Sequence, residues 1–409
     1  MNGLAAARVV TCDPARPGAL GVVEHGAVVV DGERIAYVGP RAGAPKDAVL
    51  LDVGERVVTP GLVDAHTHAC WVGSRHAEYA VRMAGGDYRD IAKAGGGILS
   101  TQRAVAAATE EQLAEALAGR LARMASLGVT TVEVKSGYGL EADHERKQLC
   151  AIARVSARDG VPSVVATFLA LHALPESARA DRAAYVDRVA RELVPEVARG
   201  KLASFVDAYV DATAFTVAEA RAVGEAARAH GLGLRLHVGQ FADVGGAELA
   251  ASLGAASADH LEHVSPAGAE ALARAGVAGV LLPVASFTLG QAPPPVGTLR
   301  SMGVRLVVAS DANPGTAPTE SLPLAMALAV RAYGLSPDEA LLAATRDAAA
   351  SLGLRDRGVL REGARADLVA WDLPHEQAIV QPWGVHRTHT VLIGGRARNG
   401  GAPTADGRA

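Results

Sequence analysis

Cysteine is scarce in this chain: its 409 residues include only Cys12, Cys70 and Cys150. Their odd number and wide spacing provide neither a disulfide framework nor a CxxC motif, which is typical of proteins in a reducing compartment. Long apolar runs are also missing from the sequence, since none reaches the roughly 18 residues that a membrane-spanning helix needs. Arg8 interrupts the apolar N-terminal stretch, which makes a poor signal peptide. We therefore expect a cytoplasmic protein without a membrane partner.

A concentrated block of basic residues is lacking too. The chain has 40 Lys and Arg against 44 Asp and Glu, a net charge of −4, and charges of both signs along its whole length. Because binding to a phosphate backbone requires a concentrated basic face, we expect no nucleic-acid partner. Aromatic residues make up only 4% of the chain and hydrophobic residues 49%. A chain of this length can still bury a large core built from Ala, Val and Leu.

Apolar runs of strand length alternate with Ala-rich stretches of helical period through the middle of the chain. Eight runs are present: "VVTPGLVDAH", "GVTTVEVKSG", "VPSVVATFLALH", "ASFVDAYVD", "LGLRLHVG", "ASADHLEHV", "VAGVLLPVAS" and "VRLVVASDAN". Nearly continuous hydrophobicity is typical of buried parallel strands, and "EEQLAEALAGRLARMASLG" between two of the runs has a helical period. Eight βα units in roughly 300 residues predict an α/β fold of the (β/α)8 TIM barrel type. The alternative is a doubly wound open sheet, but no glycine-rich dinucleotide loop follows the first run.

The two ends of the chain have a different pattern. Residues 1–58 contain β-rich runs, two of which are joined by Asp31-Gly32, a hairpin signal. Strand-like runs with Gly-Gly turns return from about residue 358. We therefore predict a small composite β domain from residues 1–58 and 358–409, and a barrel domain over residues 59–357.

Histidines and other polar residues collect where the apolar runs end. In a TIM barrel, chemistry takes place at the carboxyl ends of the strands. The residues at these ends are His66 and His68, Tyr138, His172, His237, His260 and His263, and Asp311.

The pair His66 and His68 is the first indication of a metal site. Residues i and i+2 of a strand point to the same face, so both imidazoles can reach one ion. His237 and Asp311 complete a set of three histidines and one carboxylate that suits Zn²⁺ or Fe²⁺. Taken singly, His237 is better interpreted as a buried core histidine, and Asp311 can equally be a helix cap or an Asx turn. Four such coincidences at strand ends are less plausible than one metal site.

Motifs along the chain resemble those of a known family. They are "DAHTHACWVGSRHAEY", "GGGILST", "EVKSGYGL", "TFLALHALP", "HVGQFADVGGAELA", "ADHLEH", "LLPVASFTL" and "SDANPGTAPTESL". They resemble the amidohydrolase superfamily of metal-dependent hydrolases, and within it the imidazolonepropionase family. The resemblance implies a distorted barrel with a β-sandwich built from both chain ends. It also implies a homodimer that hydrolyses the cyclic amide C–N bond of 4-imidazolone-5-propionate, giving N-formimidoyl-L-glutamate in histidine degradation.

The resemblance also implies roles for individual residues. His66, His68, His237 and Asp311 would bind the metal; Arg75, Tyr138, His172, Gln240, Asn313, Gly315 and Thr316 would contact the substrate; Asp311, His260 and His172 would be catalytic. No lysine ends the fourth run, where relatives with two metals carry a modified lysine, and Lys135 after the second run is not placed for that role. We therefore expect a single divalent metal, zinc or iron.

The chemistry of the reaction specifies these roles further. Asp311 would take a proton from the attacking water and pass it to the leaving ring nitrogen. His260 would orient the water, with a core histidine bonded to Glu262 as the alternative. His172 would donate to the carbonyl oxygen, and Arg75 would bind the propionate carboxylate unless it is a surface arginine.

Two further expectations concern the tail of the substrate and a rival reaction. Tyr138 would offer a hydroxyl and a ring face, or else only pack. Backbone N–H groups of the "NPGT" turn, near a helix start, would receive a carboxylate. Deaminases of the superfamily show HxxE where this chain has "HVGQ", and the amide of Gln240 cannot shuttle protons. Two interpretations compete with this one: an amidohydrolase that catalyses another reaction, and a non-catalytic assembly protein with the same fold.

Overall fold

The computed structural model describes residues 1–86 and 96–398. The predicted C-terminal β segment extends beyond this range over residues 399–409, and Gly95 of the "GGGILST" motif also lies outside the described residues.

The strands form two separate sheets. They are β1 Asn2–Val10, β2 Val22–Asp31, β3 Arg34–Pro40, β4 Val49–Asp52, β5 Val57–Pro60, β6 Leu62–Asp64, β7 Val129–Lys135, β8 Ser163–Leu171, β9 Phe205–Val210, β10 Gly233–Val238, β11 Ser257–His260, β12 Ala278–Leu281, β13 Leu306–Val308, β14 Leu368–Trp371, β15 Thr388–Ile393 and β16 Arg396–Ala397.

Helices lie between the strands of the middle region and continue after the last of them. The α-helices are His76–Met83, Ile98–Ala107, Glu110–Ser126, Ala142–Ser156, Arg182–Arg188, Val194–Arg199, Val217–Ala229, Gly246–Leu253, Pro266–Ala275, Pro283–Leu289, Val296–Ser301, Leu322–Tyr333, Pro337–Ala343 and Arg346–Ser351. Shorter helical turns are Arg41–Gly43, Glu176–Ala178, Val189–Leu193 and Glu376–Val380.

Strands β6 to β13 form a parallel, nearly closed barrel in chain order, which confirms the predicted fold class. Every residue of β7 is buried, as expected for a strand covered on both faces. Side chains close the gap between the first and last barrel strands, because the Asp64 carboxylate accepts bonds from the Ser310 amide at 3.0 Å and the Ser310 hydroxyl at 2.5 Å. The amide of Asp311 also donates to the carbonyl of His66 at 3.1 Å. This closure brings the ends of the first and eighth barrel strands together.

The second sheet combines both ends of the chain. Its order is β16-β15-β14-β5-β1-β2-β3, and β4 pairs with β1. Strands β2 and β3 form the hairpin predicted at Asp31-Gly32. The join between the two chain ends is the antiparallel pair of β5 and β14, in which Val57 lies opposite Trp371.

The first predicted strand run is divided between the two sheets. Val57–Pro60 belongs to the composite sheet, and only Leu62–Asp64 belongs to the barrel. The break is at Gly61, whose amide donates to the Asp367 carbonyl at 2.9 Å. A Cβ at Gly61 would lie 2.2 Å from Thr130 Oγ1, so a larger residue would not fit there. The domain boundary predicted between residues 58 and 59 falls within β5 and, like the one at residue 358, stays a prediction.

Helix Glu110–Ser126 shows how local sequence specifies the outer layer. The Thr109 hydroxyl accepts from the Gln112 amide, and the Gln112 side chain accepts from the Thr109 amide, which is a complete capping box. Leu113, Leu117 and Leu121 then bury one face of the helix. Within the described ranges, no helix combines the length and apolarity required to cross a bilayer.

A candidate metal centre and its substrate pocket

Three buried imidazoles converge at the carboxyl end of the barrel. His66 and His68 follow β6, and His237 lies near the end of β10. His68 Nε2 lies 3.3 Å from His66 Nε2 and 3.3 Å from His237 Nε2. Ligand atoms from these three residues all lie within 4.8 Å of one another. The structure therefore brings together the three histidines that were predicted from the sequence to bind a metal.

Asp311 adds an oxygen atom to this cluster. Its Oδ1 lies 3.3 Å from His68 Nε2 and 3.5 Å from His66 Nε2, and it makes no hydrogen bond to any other described residue. Two ligand atoms bound at about 2.05 Å to a tetrahedral zinc ion are about 3.3 Å apart. The spacing of these donor atoms therefore fits a divalent metal between them.

Carboxylates behind the imidazoles fix the positions of their protons. His66 Nδ1 donates to Asp259 Oδ2 at 2.6 Å, and His237 Nδ1 donates to Asp207 Oδ1 at 3.1 Å. With the ring proton on Nδ1, Nε2 of a neutral imidazole carries a lone pair, which is the form that binds a metal. His68 differs: its Nδ1 has no partner among the described residues, and its ring stacks on His172 at 5.3 Å.

A fully buried cation joins these carboxylates beneath the site. Lys135 Nζ lies 2.8 Å from Asp207 Oδ2, 2.8 Å from Glu133 Oε1 and 4.0 Å from Asp259 Oδ2. Arg235 Nη2 lies 3.6 Å from the same oxygen of Asp259. Lys135 was considered from sequence only as a bridging ligand, and none of these charged groups was predicted to support the histidines. Their signal was present, because acidic and basic residues inside runs such as "VEVK" and "FVDAYV" interrupt otherwise apolar buried strands.

These contacts decide which groups are charged. Burial would raise the pKa of Asp207 and Asp259, but nearby cations outweigh it and hold both pKa values below the ordinary range. Burial likewise opposes ionisation of Asp311, and the imidazoles of His66 and His68 nevertheless hold its pKa well below the usual value. Burial lowers the pKa of His68 and of His237, whereas for His66 the carboxylates of Asp259 and Asp311 outweigh burial and raise the pKa. His68 and His237 are therefore neutral and the carboxylates ionised, as metal binding requires, and His66 would give up a proton when a metal binds.

Backbone strain marks the loop that carries Asp311. This residue is buried and has a φ of +56°, a left-handed conformation that costs energy for any residue other than glycine. The Asx-type turn that was the alternative for Asp311 belongs instead to Asn313, whose Oδ1 accepts from the amides of Gly315 at 2.8 Å and Thr316 at 2.7 Å. Asp311 therefore directs its carboxylate to the histidines, and Asn313 shapes the turn.

The arrangement of that turn corrects one expectation. The amides of Gly315 and Thr316, which we predicted to receive a substrate carboxylate, donate to the side chain of Asn313. The following helix begins only at Leu322, after a cap by Ser321 and beyond Pro318. The turn is therefore not at a helix start, and its amides are engaged within the protein.

His172 also requires a correction of its role. Its Nδ1 lies 2.7 Å from the carbonyl oxygen of Gly137, which can only accept, so the ring proton is on Nδ1. Burial lowers the pKa of His172 to about 3, so the ring is neutral. Its Nε2 is then an acceptor, whereas the predicted role as donor to a carbonyl oxygen requires a proton there. Gly137 has a φ of +103°, and a Cβ there would lie 2.8 Å from Leu169, so the turn that presents this carbonyl accepts only glycine.

Arg75 lies at one wall of the pocket and is buried rather than on the surface. It is 7% exposed, and its Nε donates to Glu78 Oε2 at 2.9 Å. The same carboxylate oxygen accepts from the amide of Gly97 at 3.0 Å. The guanidinium packs directly on Gly315, where an added Cβ would lie only 2.2 Å from Arg75 Nη1.

Tyr138 and Gln240 complete the walls. Tyr138 is 2% exposed, and its ring centre lies 5.3 Å from that of His172. Gln240 Oε1 accepts from the hydroxyl of Tyr209 at 2.7 Å, a partner that the sequence analysis did not identify. The side-chain oxygen of Gln240 is thus held, and its amide N–H₂ group is the part that remains to contact a substrate.

The cavity enclosed by these groups has a volume of about 1040 Å³. Of the predicted site residues, those that line it are His68, Arg75, Tyr138, His172, His237, Gln240, His260, Asp311, Asn313 and Thr316. His66 is fully buried behind His68, and His263 is exposed, away from the site. The pocket is ample for a small substrate.

Comparisons with known proteins identify the family of the chain. The pattern of the Amidohydrolase family matches residues 57–398. The chain is 45% identical over 387 residues to an imidazolonepropionase of Caulobacter vibrioides, covering 94% of this chain and 96% of that one. It is 42% identical over 385 residues to an imidazolonepropionase of Shouchella clausii, covering 92% and 86%.

Solved structures show the same fold. The structure of atrazine chlorohydrolase TrzN from Arthrobacter aurescens TC1 in complex with zinc superposes with a TM-score of 0.69, covering 97% of this chain and 95% of that chain. At 18% sequence identity, this likeness concerns the fold alone. The family match and the curated relatives, by contrast, extend over nearly the whole sequence. The chain belongs to the amidohydrolase family and, within it, to the imidazolonepropionases.

Proposed function

We propose that this chain is a metal-dependent hydrolase that opens the ring of 4-imidazolone-5-propionate to N-formimidoyl-L-glutamate. The observation that carries the proposal is the set of donor atoms of His66, His68, His237 and Asp311, which are spaced for one ion beside the pocket. The names of the relatives supply the substrate. Arg75 in the pocket wall provides the cation that a propionate tail requires.

These four residues would hold one divalent metal. Imidazole nitrogens with one carboxylate oxygen suit zinc and ferrous iron alike, and zinc in the structural neighbour favours zinc as the first ion to test. When bound, such an ion supplies an activated water nucleophile by lowering the pKa of that water to about 7. The position of Lys135 favours one metal ion over two, because its ammonium already neutralises the carboxylates beneath the histidines.

Asp311 would transfer the proton. Its carboxylate is ionised and lies beside the imidazoles, so it accepts the proton of the attacking water as oxygen adds to the ring carbonyl carbon. The carbon–nitrogen bond of the ring then breaks, and Asp311 returns the proton to the leaving nitrogen. A carboxylate with a low pKa gives up this proton readily. His260 orients the attacking water from the side of His66 and His237.

The remaining groups would hold the substrate. Arg75 binds the propionate carboxylate, with the Asn313 turn behind it fixing the position of Gly315. His172 Nε2 is an acceptor and therefore receives a ring N–H of the imidazolone. Tyr138 and the amide group of Gln240 contact the substrate from the flanking walls. A homodimer and a cytoplasmic location remain predictions.

Deamination is the rival reaction within the family. It requires a group that carries a proton to departing ammonia, and Gln240 stands where deaminases have glutamate. The hydroxyl of Tyr209 further holds the oxygen of Gln240, so this side chain binds and does not transfer protons. The site therefore favours hydrolysis of a cyclic amide.

Turnover of a substrate panel tests the proposal. Zinc-loaded protein should remove the ultraviolet absorbance of 4-imidazolone-5-propionate and yield formimidoylglutamate by mass spectrometry. Dihydrouracil and adenosine serve as a cyclic amide and a deaminase substrate without the propionate tail. Equal turnover of dihydrouracil, or release of ammonia from adenosine with no imidazolone opening, would contradict the assignment.

The contact between Arg75 and Gly315 gives a prediction about binding. Gly315→Ala should displace the guanidinium and raise KM about tenfold or more, because a charge-assisted bond to the substrate carboxylate is weakened. The value of kcat should change little, since the reacting groups lie elsewhere. Gly297→Ala is the control, because nothing lies within 4 Å of a Cβ at that helical position. Steady-state kinetics of both variants measure KM and kcat. An unchanged KM in Gly315→Ala would show that Arg75 does not bind the substrate.

A further inference from the structure

A chain of buried polar side chains leads away from the pocket behind His260. The hydroxyl of Ser286 donates to Glu262 Oε1 at 2.6 Å, and the hydroxyl of Tyr333 lies 2.6 Å from Ser286 Oγ. All of these side chains are buried. They come from the segments after β11 and β12 and from helix Leu322–Tyr333, so residues far apart in sequence converge on one carboxylate. None of the roles in the proposed reaction belongs to Glu262, Ser286 or Tyr333.

Two buried polar atoms without hydrogen-bond partners face each other where these side chains meet His260. His260 Nδ1 lies 3.7 Å from Glu262 Oε2, and neither atom has a hydrogen-bond partner among the described residues. A buried polar atom without a partner costs about 1–3 kcal/mol. The separation is slightly too long for a hydrogen bond, as is common for catalytic pairs before a substrate is bound.

The backbone between these residues is strained. His260 and Leu261 have φ values of +82° and +71°, and both residues are buried. Left-handed conformations at two successive residues other than glycine cost of order 1–3 kcal/mol each, and they persist where a site requires them. The strained turn places the ring of His260 5.5 Å from that of His237 and its Nδ1 3.7 Å from Glu262 Oε2.

We propose that Glu262 is a positioning residue that accepts the Nδ1–H of His260 and thereby holds the Nε2 lone pair of His260 toward the cavity, as an acceptor for the attacking water. His260 lines the cavity, whereas Glu262, Ser286 and Tyr333 are not among the described residues that line it. Glu262 therefore acts through His260. This inference rests on the proposed hydrolysis, because that reaction supplies the water.

The donors behind Glu262 explain why a carboxylate is suitable there. The Ser286 hydroxyl donates its one hydrogen bond to Glu262. The Tyr333 hydroxyl is therefore the donor in its bond to Ser286 Oγ. Burial raises the pKa of Tyr333, which keeps this hydroxyl protonated as a donor. Two donors in series thus stabilise Oε1 as an acceptor and orient the carboxylate so that Oε2 faces the imidazole.

A double-mutant cycle tests the proposal in the zinc enzyme. Glu262→Gln retains an oxygen but loses the charge, and we expect kcat to fall about tenfold, with KM and zinc content unchanged. Glu262→Leu removes the acceptor and should lower kcat about 100-fold. In a His260→Asn background, Glu262→Gln should cause almost no further loss. The same tenfold loss in both backgrounds, or an unchanged kcat in the single variants, would overturn the proposal.

Two further measurements keep the test decisive. Ser286→Ala removes only the hydrogen-bond donor to Glu262 and should lower kcat by a smaller factor than Glu262→Gln. This variant replaces the Glu262 variants in the test if those do not fold. Nitrogen-15 NMR of the His260 ring, assigned with His260→Asn, needs no substrate. We expect the proton on Nδ1 in the unmodified enzyme, and a proton on Nε2 would overturn the proposal. Failure of the proposed function would instead appear as absent imidazolone turnover by the unmodified enzyme.

Discussion

Asp311→Asn should lower kcat for imidazolone opening by at least about 10³-fold, with little change in folding. The asparagine has nearly the same shape, but its amide can neither accept the proton of the attacking water nor return it to the leaving nitrogen. It is also a weaker ligand beside the Nε2 atoms of His66 and His68, which lie 3.5 Å and 3.3 Å from Asp311 Oδ1. Zinc content must therefore be measured together with kcat.

The control for this variant is Asp143→Asn, the same change on an exposed carboxylate that pairs with Arg146 at the surface. It should leave kcat and KM unchanged. Circular dichroism and the thermal midpoint of Asp311→Asn should stay close to those of the unmodified protein. If Asp311→Asn binds one zinc and turns over within about tenfold of the unmodified protein, Asp311 does not transfer the proton.

Lys135→Met should have the largest effect on stability. The ammonium lies 2.8 Å from both Asp207 and Glu133, and all three side chains are fully buried. Removing one partner of a buried ion pair leaves uncompensated charge and typically costs about 3–5 kcal/mol. Because Asp207 also accepts from His237, the zinc affinity should fall as well, by about 10- to 100-fold. Thermal unfolding and competition with a zinc chelator measure the two effects separately.

Lys147→Met provides the matched control, since among the described residues Lys147 donates to the carbonyls of Ala106 and Ala108 and pairs with no carboxylate. It should change the thermal midpoint far less and leave zinc affinity unaffected. If Lys135→Met does not fold, the double variant with Glu133→Gln removes one of the uncompensated charges and should recover part of the stability. Unchanged zinc affinity and stability in Lys135→Met would show that the buried cation does not support the histidines.

The convergence of the site could be predicted from sequence because it follows from the barrel. Each of His66, His237 and Asp311 lies where an apolar run ends, and a closed parallel barrel brings such ends to one face. The division of the first run could not be predicted in this way. It depends on pairing between Val57–Pro60 and Leu368–Trp371, strands separated by about 300 residues that have no local signal for each other.

The directions of the hydrogen bonds in the site could not be predicted from the sequence either. His172 was expected to donate, but its proton is used by the carbonyl of Gly137, 35 residues away in sequence. The amides of Gly315 and Thr316 were expected to bind substrate, but the side chain of Asn313 folds back onto them. Sequence indicates which residue types meet, whereas the roles of donor and acceptor depend on partners that only the folded chain reveals.

The most direct test of the central claim is a zinc titration of metal-free protein, followed by the rate of imidazolone opening at each step. If His66, His68, His237 and Asp311 form one metal site that drives the reaction, the rate should rise in proportion to added zinc and stop rising at one equivalent. Full activity without metal, or activity that appears only beyond two equivalents, would contradict that account.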